Sequence, residues 1–161
     1  MGKENELVNK LTKKKYTIST AESCTGGLLS ATIVNVSGAS DVFECSFVTY
    51  ANAAKEQFVH VSHETLEQYG AVSSETAVEM AAGCAKVANA DVGLSTTGIA
   101  GPGGGTPEKP VGLVYIGCSL HGVTRTKRFV FKGNRSEVRR QTVEKALEFA
   151  IHCLDEEISA E

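Results

Sequence analysis

Residues 16–36 combine three elements in a fixed order. An apolar, β-leaning run, Tyr16 to Thr20, leads into Ala21-Glu22-Ser23-Cys24-Thr25-Gly26-Gly27, and an apolar segment, Leu28 to Val36, follows. This is the pattern of a strand, a tight turn carrying a serine, and the start of a helix. A hydroxyl on such a turn projects from the sheet edge toward solvent. The first turn of a helix leaves its N–H groups without partners and pointing the same way. The turn therefore offers a nucleophile beside an anion or oxyanion site. The plainer alternative is that Ser23 and Thr25 only cap the helix.

The remaining chain repeats the alternation. Leu7, Val8 and Leu11 lie at helical spacing. Val42–Tyr50 is expected as a strand, Ala53–Val59 as a helix capped by Asn52, and Glu64–Tyr69 as a short helix stopped by Gly70. Ser73 is placed to cap a long Ala-rich helix, about Glu75 to Ala88. Val92–Thr97 has the composition of a buried strand. Val111–Leu120 and Thr124–Phe131 flank His121-Gly122, a hairpin signal. In the last helix, Val143, Ala146, Leu147, Ala150, Ile151 and Leu154 form one apolar stripe. Strands interleaved with helices give an α/β fold, a three-layer α/β/α sandwich, and the hairpin makes its sheet mixed, mostly parallel.

With 161 residues the chain is most simply one domain, and it is long enough to bury about 70% of its unfolded surface without staples. The net charge of −3 gives no electrostatic footprint for nucleic acid. Arg125, Lys127, Arg128 and Lys132 cluster, but they alternate with apolar residues and fit a solvated sheet edge. No apolar run approaches membrane-spanning length. Five scattered cysteines, with no CxxC pair, disfavour a zinc site or a disulfide framework. Their odd count and the lack of a signal peptide point to a reducing cytoplasm. Most are expected to be small core residues. Cys24 stands apart, because a helix N-terminus lowers a thiol pKa.

Two further segments carry chemistry. Thr49-Tyr50-Ala51-Asn52-Ala53-Ala54-Lys55 leaves a strand and enters a helix, as the Ser23 segment does. That places Tyr50 and Lys55 at the carboxyl end of the sheet, where open α/β sheets bind ligands. A lysine held in apolar surroundings loses its proton readily and can take the Ser23 proton as a general base, with the Tyr50 hydroxyl as relay or support. Otherwise Lys55 is a solvated helix lysine and Tyr50 a strand aromatic. Ser95-Thr96-Thr97-Gly98-Ile99-Ala100-Gly101-Pro102-Gly103-Gly104-Gly105 lets backbone amides approach an anion, although neither a Walker A loop nor a dinucleotide fingerprint is present. It is an active-site loop or a flexible surface loop. Arg135, at a helix start after Lys132-Gly133-Asn134, is a phosphate clamp or a surface arginine. His60, His63, His121 and His152 have no ligand spacing.

These segments together resemble the C-terminal domain of the CinA (competence/damage-inducible) family. The likeness rests on the Ala21–Gly27 and Thr49–Lys55 segments, Gly70-Ala71-Val72-Ser73, Thr97 to Gly104, Lys109-Pro110-Val111-Gly112 and Gly133-Asn134-Arg135, in that order over nearly the whole chain. Stand-alone members of this kind are nicotinamide-nucleotide amidohydrolases. They convert nicotinamide mononucleotide to nicotinate mononucleotide and ammonia in NAD salvage, with no metal or other cofactor. The resemblance implies that Ser23 is the nucleophile, Lys55 the general base and Tyr50 its neighbour. Amides of the Ser23 turn, those of Thr25 and Gly26, would meet the substrate's oxyanion, and Gly27 is expected in the substrate site beside them. Thr97, Gly98, Ala100, Gly101 and Gly103 would line the nucleotide site, and Arg135 would meet the phosphate.

The resemblance further implies a small-molecule partner, no nucleic acid or membrane, and a homodimer built on the hairpin strands or the Ala-rich helix. The chain departs from the family pattern in two places. Asn35 to Ser40 lacks a proline often found there, and Ala51 replaces a common serine. The family's separate N-terminal domain, associated with nucleotide pyrophosphate hydrolysis, is not in the sequence, so that activity is not expected. Two other functions compete: a non-catalytic nucleotide-binding module on the same fold, and an enzyme that uses Cys24.

Overall fold

In a computed structural model, which describes residues 2–160, five strands form one sheet in the order β2-β1-β3-β4-β5. The elements are α1 (Lys3–Lys14), β1 (Ile18–Glu22), α2 (Leu28–Val34), β2 (Phe43–Val48), α3 (Asn52–Val59), α4 (His63–Tyr69), α5 (Ser74–Ala88), β3 (Val92–Gly98), β4 (Leu113–Leu120), β5 (Val123–Val130) and α6 (Arg135–Ala160). β1 pairs in parallel with β2 and β3, whereas β4 is antiparallel to both its neighbours. Four strands therefore run one way and β4 alone runs back, as the His121-Gly122 hairpin requires. Both turn residues take positive φ.

The strand order explains the layers. The crossover from β1 to β2 and the one from β2 to β3 run in opposite directions along the sheet. A right-handed path then places α2 on one face and α3, α4 and α5 on the other. Alternation along each strand matches those faces. Ile18, Leu94, Val114, Ile116 and Cys118 join Leu7, Leu11, Leu29, Ile33 and Leu147 beneath α1, α2 and α6. Ala21 joins Val59, Leu66, Met80 and Cys84 beneath α3, α4 and α5. Here α5 lies very close to the sheet. A Cβ added at Gly93 would meet the Ala81 carbonyl at 2.0 Å, and one at Gly117 the Ala77 carbonyl at 2.4 Å.

The elements fall within a residue or two of expectation, with three physical exceptions. Asn52 is the first residue of α3 and makes no cap; Ala51 holds that position, and no side chain caps the helix. α2 ends at Val34, and a single 3-10 turn, Ala39–Asp41, lies in the expected loop. β4 starts at Leu113, because Gly112 (φ +92) turns the chain against Phe131. Ser73 does cap α5, accepting from the Thr76 amide at 3.1 Å. Arg125, Lys127 and Arg128 lie on β5, an edge strand.

Candidate functional site

The carboxyl ends of β1, β2 and β3 share one edge of the sheet. The loop between β3 and β4 and the start of α6 reach the same edge. A pocket of about 290 Å³ opens there, lined by Ser23, Cys24, Tyr50, Lys55, Ala71, Val72, Thr97, Gly98, Ile99, Ala100, Gly101, Gly103, Gly104 and Arg135. It lies where the chain leaves neighbouring strands toward opposite faces, the usual ligand position in such sheets.

Lys55 is the most unusual residue of the site. It is 0% exposed, and its Nζ reaches Ser23 Oγ at 3.1 Å, the Thr49 carbonyl at 2.7 Å and the Tyr50 carbonyl at 3.2 Å. Burial lowers its pKa from 10.5 to about 8. A solvated helix lysine is thereby excluded. The two carbonyls accept but cannot donate, so they occupy two N–H groups. In the neutral amine the remaining position, the lone pair, is left for the Ser23 hydroxyl. Ser23 is 8% exposed, at the floor of the pocket. The arrangement can move a proton from Ser23 Oγ to Lys55 Nζ.

The Ser23 turn is held by an internal carboxylate. Alternation turns Glu22 to the α2 face, where it is fully buried. Its Oε1 accepts from Thr25 Oγ1 at 2.6 Å, the Leu29 amide at 2.8 Å and the Gly27 amide at 3.2 Å. Its Oε2 accepts from the Ser30 amide at 3.0 Å and Ser46 Oγ at 3.3 Å. Glu22 thus compensates the N-terminus of α2. Neither Ser23 nor Thr25 caps the helix, whose N-cap position is Gly27.

This corrects the expectation for Thr25, Gly26 and Gly27, none of which lines the pocket. The Thr25 hydroxyl is spent on Glu22 and Thr96, the Gly27 amide on Glu22, and the Gly26 amide on the Ser23 carbonyl at 3.1 Å. The helix N-terminus expected to receive an anion is already occupied from within.

The pocket wall holds the other expected residues. Thr97 is anchored through its hydroxyl to the Ala71 carbonyl at 2.7 Å. Gly98, Ala100, Gly101 and Gly103 form the glycine loop beside it. Arg135, the first residue of α6, donates to the Gly101 carbonyl at 2.9 Å and to the Tyr50 hydroxyl at 3.1 Å. Tyr50 is 61% exposed, and its hydroxyl bonds Arg135. Its link to Lys55 runs through its carbonyl, so the hydroxyl is not the proton relay that the sequence suggested.

Cys24 is corrected as well, since burial pushes its thiol up to about 12. Desolvation outweighs the helix terminus, whose charge Glu22 already meets. Among the described residues no cluster of histidine, cysteine or carboxylate side chains could hold a metal ion, and no helix is long and apolar enough to cross a membrane.

Two contributors were not singled out from the sequence. One is Glu22 as the internal partner of α2; the alternation of β1 could have pointed its side chain there. The other is Arg139, one turn beyond Arg135, which donates to the Cys24 carbonyl at 3.1 Å and the Thr25 carbonyl at 2.7 Å. The spacing of Arg135 and Arg139 places both on one helix face, but only the folded chain brings that face to the turn.

The sequence model of the CinA C-terminal domain matches residues 2–154. A putative competence-damage inducible protein of Alkaliphilus metalliredigens is 55% identical over 146 residues, 91% of this chain and 36% of that protein. A CinA-like protein of Kosmotoga olearia is 53% identical over 151 residues, 94% of this chain and 37% of its own length. The chain therefore spans little more than a third of these curated relatives. Among solved structures, competence/damage inducible protein CihA from Agrobacterium tumefaciens is 40% identical with a TM-score of 0.90, covering 96% of this chain and 97% of that one. A CinA superfamily protein from Klebsiella pneumoniae gives 30% and 0.92, with 96% of both chains covered. With the domain model matching residues 2–154 and these relatives aligned over nearly its whole length, the chain belongs to the CinA C-terminal domain family.

Proposed function

We propose that the protein is a nicotinamide-nucleotide amidohydrolase, releasing ammonia from nicotinamide mononucleotide and leaving nicotinate mononucleotide. The observation that carries this reading is the fully buried Lys55 with Nζ 3.1 Å from Ser23 Oγ, its other contacts being main-chain carbonyls. A serine beside a lysine of lowered pKa is the equipment of an acyl-transfer hydrolase.

Neutral Lys55 takes the hydroxyl proton as Ser23 Oγ attacks the carboxamide carbon. The resulting oxyanion is met by the amide of Cys24, which lines the pocket beside Ser23. Such a donor supplies about 3 kcal/mol when the charge develops. The ammonium returns its proton to the departing nitrogen, and ammonia leaves an acyl-Ser23. Water then hydrolyses this ester, again with Lys55 as base. Arg135, at the open side of the pocket with the glycine loop, is the cation available to the phosphate.

Ammonia release from nicotinamide mononucleotide tests the reading in the wild type, Ser23→Ala and Lys55→Ala. Activity in the wild type and its loss in both variants is the expected result. Full activity in Ser23→Ala overturns the nucleophile assignment. A wild type that binds the nucleotide without turning it over replaces the amidohydrolase with a binding module.

A further inference from the structure

On the opposite face from the Lys55 layer, β4 and α6 bring two thiols together. Cys118 lies on β4 with its side chain under α6, and Cys153 lies on α6 two turns before its end. Both thiols stand on the wall of one cavity, close enough for each to shift the other's titration. Arg125, from the edge strand β5, places Nη2 3.0 Å from the same sulfur. Its Nη1 pairs with Glu156, which fixes the guanidinium over Cys153. A cavity of about 320 Å³ opens beside the pair, lined by both cysteines, Arg125, Leu120, Val123 and Glu156 among others. Both thiols are free.

We propose that Cys153 and Cys118 form an oxidisable dithiol, a modification site in which Cys153 is the sulfur attacked first and Cys118 the resolving thiol. Three observations separate the pair from ordinary core cysteines: a guanidinium aimed at one sulfur, a second thiol on the wall of the same cavity, and a cavity that admits a small oxidant.

The charges around Cys153 agree. Arg125 faces it from β5 and His152 adjoins it on α6, while Glu156 is engaged by Arg125. Cys118 and Arg125 beside it hold the Cys153 thiol down at about 6, and its thiolate, with burial, pushes Cys118 well above the usual thiol range. At neutral pH one sulfur is thus a nucleophile and the other retains its proton. Arg139 and Lys55 lie near Cys24 without turning a donor onto its sulfur, and burial pushes Cys24 and Cys84 each up to about 12.

The oxidant is a hydroperoxide such as hydrogen peroxide. The Cys153 thiolate attacks one peroxide oxygen and the O–O bond breaks. Cys153 becomes a sulfenic acid and hydroxide departs, to be protonated to water. Cys118 sulfur then attacks Cys153 sulfur. The S–O bond breaks, the Cys118 proton leaves with the oxygen as a second water, and a disulfide joins β4 to α6. Two thiols and one peroxide give one disulfide and two waters.

The test uses the full chain, treated with hydrogen peroxide at neutral pH, blocked with N-ethylmaleimide and digested without reductant. The expected product is a Cys118–Cys153 cross-linked peptide pair, two hydrogens lighter than the separate peptides. Arg125→Met should slow its formation about tenfold by removing the cation that favours the thiolate. Cys118→Ser should leave a sulfenic acid on Cys153 that dimedone traps. Should Cys118→Ser fail to fold, the wild-type peptide map decides alone. Oxidation of Cys45 or Cys24 ahead of this pair, or maleimide on both Cys118 and Cys153 after peroxide treatment, overturns the proposal.

Discussion

Lys55 should make the stability of the fold depend on pH in a way that isolates a single side chain. In the folded protein its pKa is about 8, against 10.5 for a free side chain, and burial is the leading cause. The folded value lies below the unfolded one, so between the two the unfolded chain binds more protons. Stability must then rise with pH across that window. At about 1.4 kcal/mol per pH unit of separation, folding at pH 7 carries a penalty of about 3 kcal/mol from this residue. About 2.5 kcal/mol of that penalty is relieved by pH 10. The comparison is with Lys55→Met, which keeps the stem, removes the charge and leaves every other ionisable group in place. Urea unfolding of both proteins at pH 7 and pH 10 gives four free energies. The difference of differences should be about 2.5 kcal/mol, with the wild type gaining on the variant as pH rises. Parallel pH dependences for the two proteins would refute the claim that Lys55 is buried and poised near neutrality, whatever reaction the pocket performs.

Three further outcomes follow from the same geometry. If neutral Lys55 is the base, kcat/KM for nicotinamide mononucleotide should climb about tenfold from pH 7 to pH 9 and then level, because the free-base fraction rises from about a tenth to about nine tenths; steady-state kinetics across that range would show it, and a flat profile would exclude it. Glu22→Gln replaces an acceptor of five hydrogen bonds with an amide that cannot satisfy them all, and should cost about 3 kcal/mol in urea unfolding with a looser Ser23 turn. Thr49 carries a buried hydroxyl with no partner among the described residues, so the near-isosteric Thr49→Val should raise stability by about 1 kcal/mol, measured the same way.

Much of this architecture was legible along the chain because its signals are local. Short apolar, β-leaning runs located the strands, Ser73 announced α5, and His121-Gly122 announced the reversal that makes the sheet mixed. The pairing of Ser23 with Lys55 was legible as well, because both follow strands whose carboxyl ends share one edge.

Features that depend on a side chain's direction or on a distant partner were harder to read. Glu22 and Ser23 are neighbours in sequence, yet alternation sends one under α2 and the other toward α3. The amides at the start of α2 therefore looked free when an internal carboxylate had taken them. Tyr50 has two polar groups, and nothing local told which would meet Lys55. Arg139 depends on how α6 approaches a turn more than a hundred residues earlier. Cys24 was judged by its place near a helix terminus, while desolvation in the fold pushes its thiol the other way.

The partners of Lys55 have an implication for mutational robustness. Two of its three contacts are main-chain carbonyls, at Thr49 and Tyr50. Side-chain substitution at either position leaves those oxygens where the backbone trace puts them. The amine's setting is thus insulated from drift at the residues that create it, and is exposed only to changes that bend the chain between β2 and α3. Tyr50 is consequently free to vary for what its ring and hydroxyl do at the pocket mouth, so this corner of the molecule can change the molecules it admits while keeping the same poised amine.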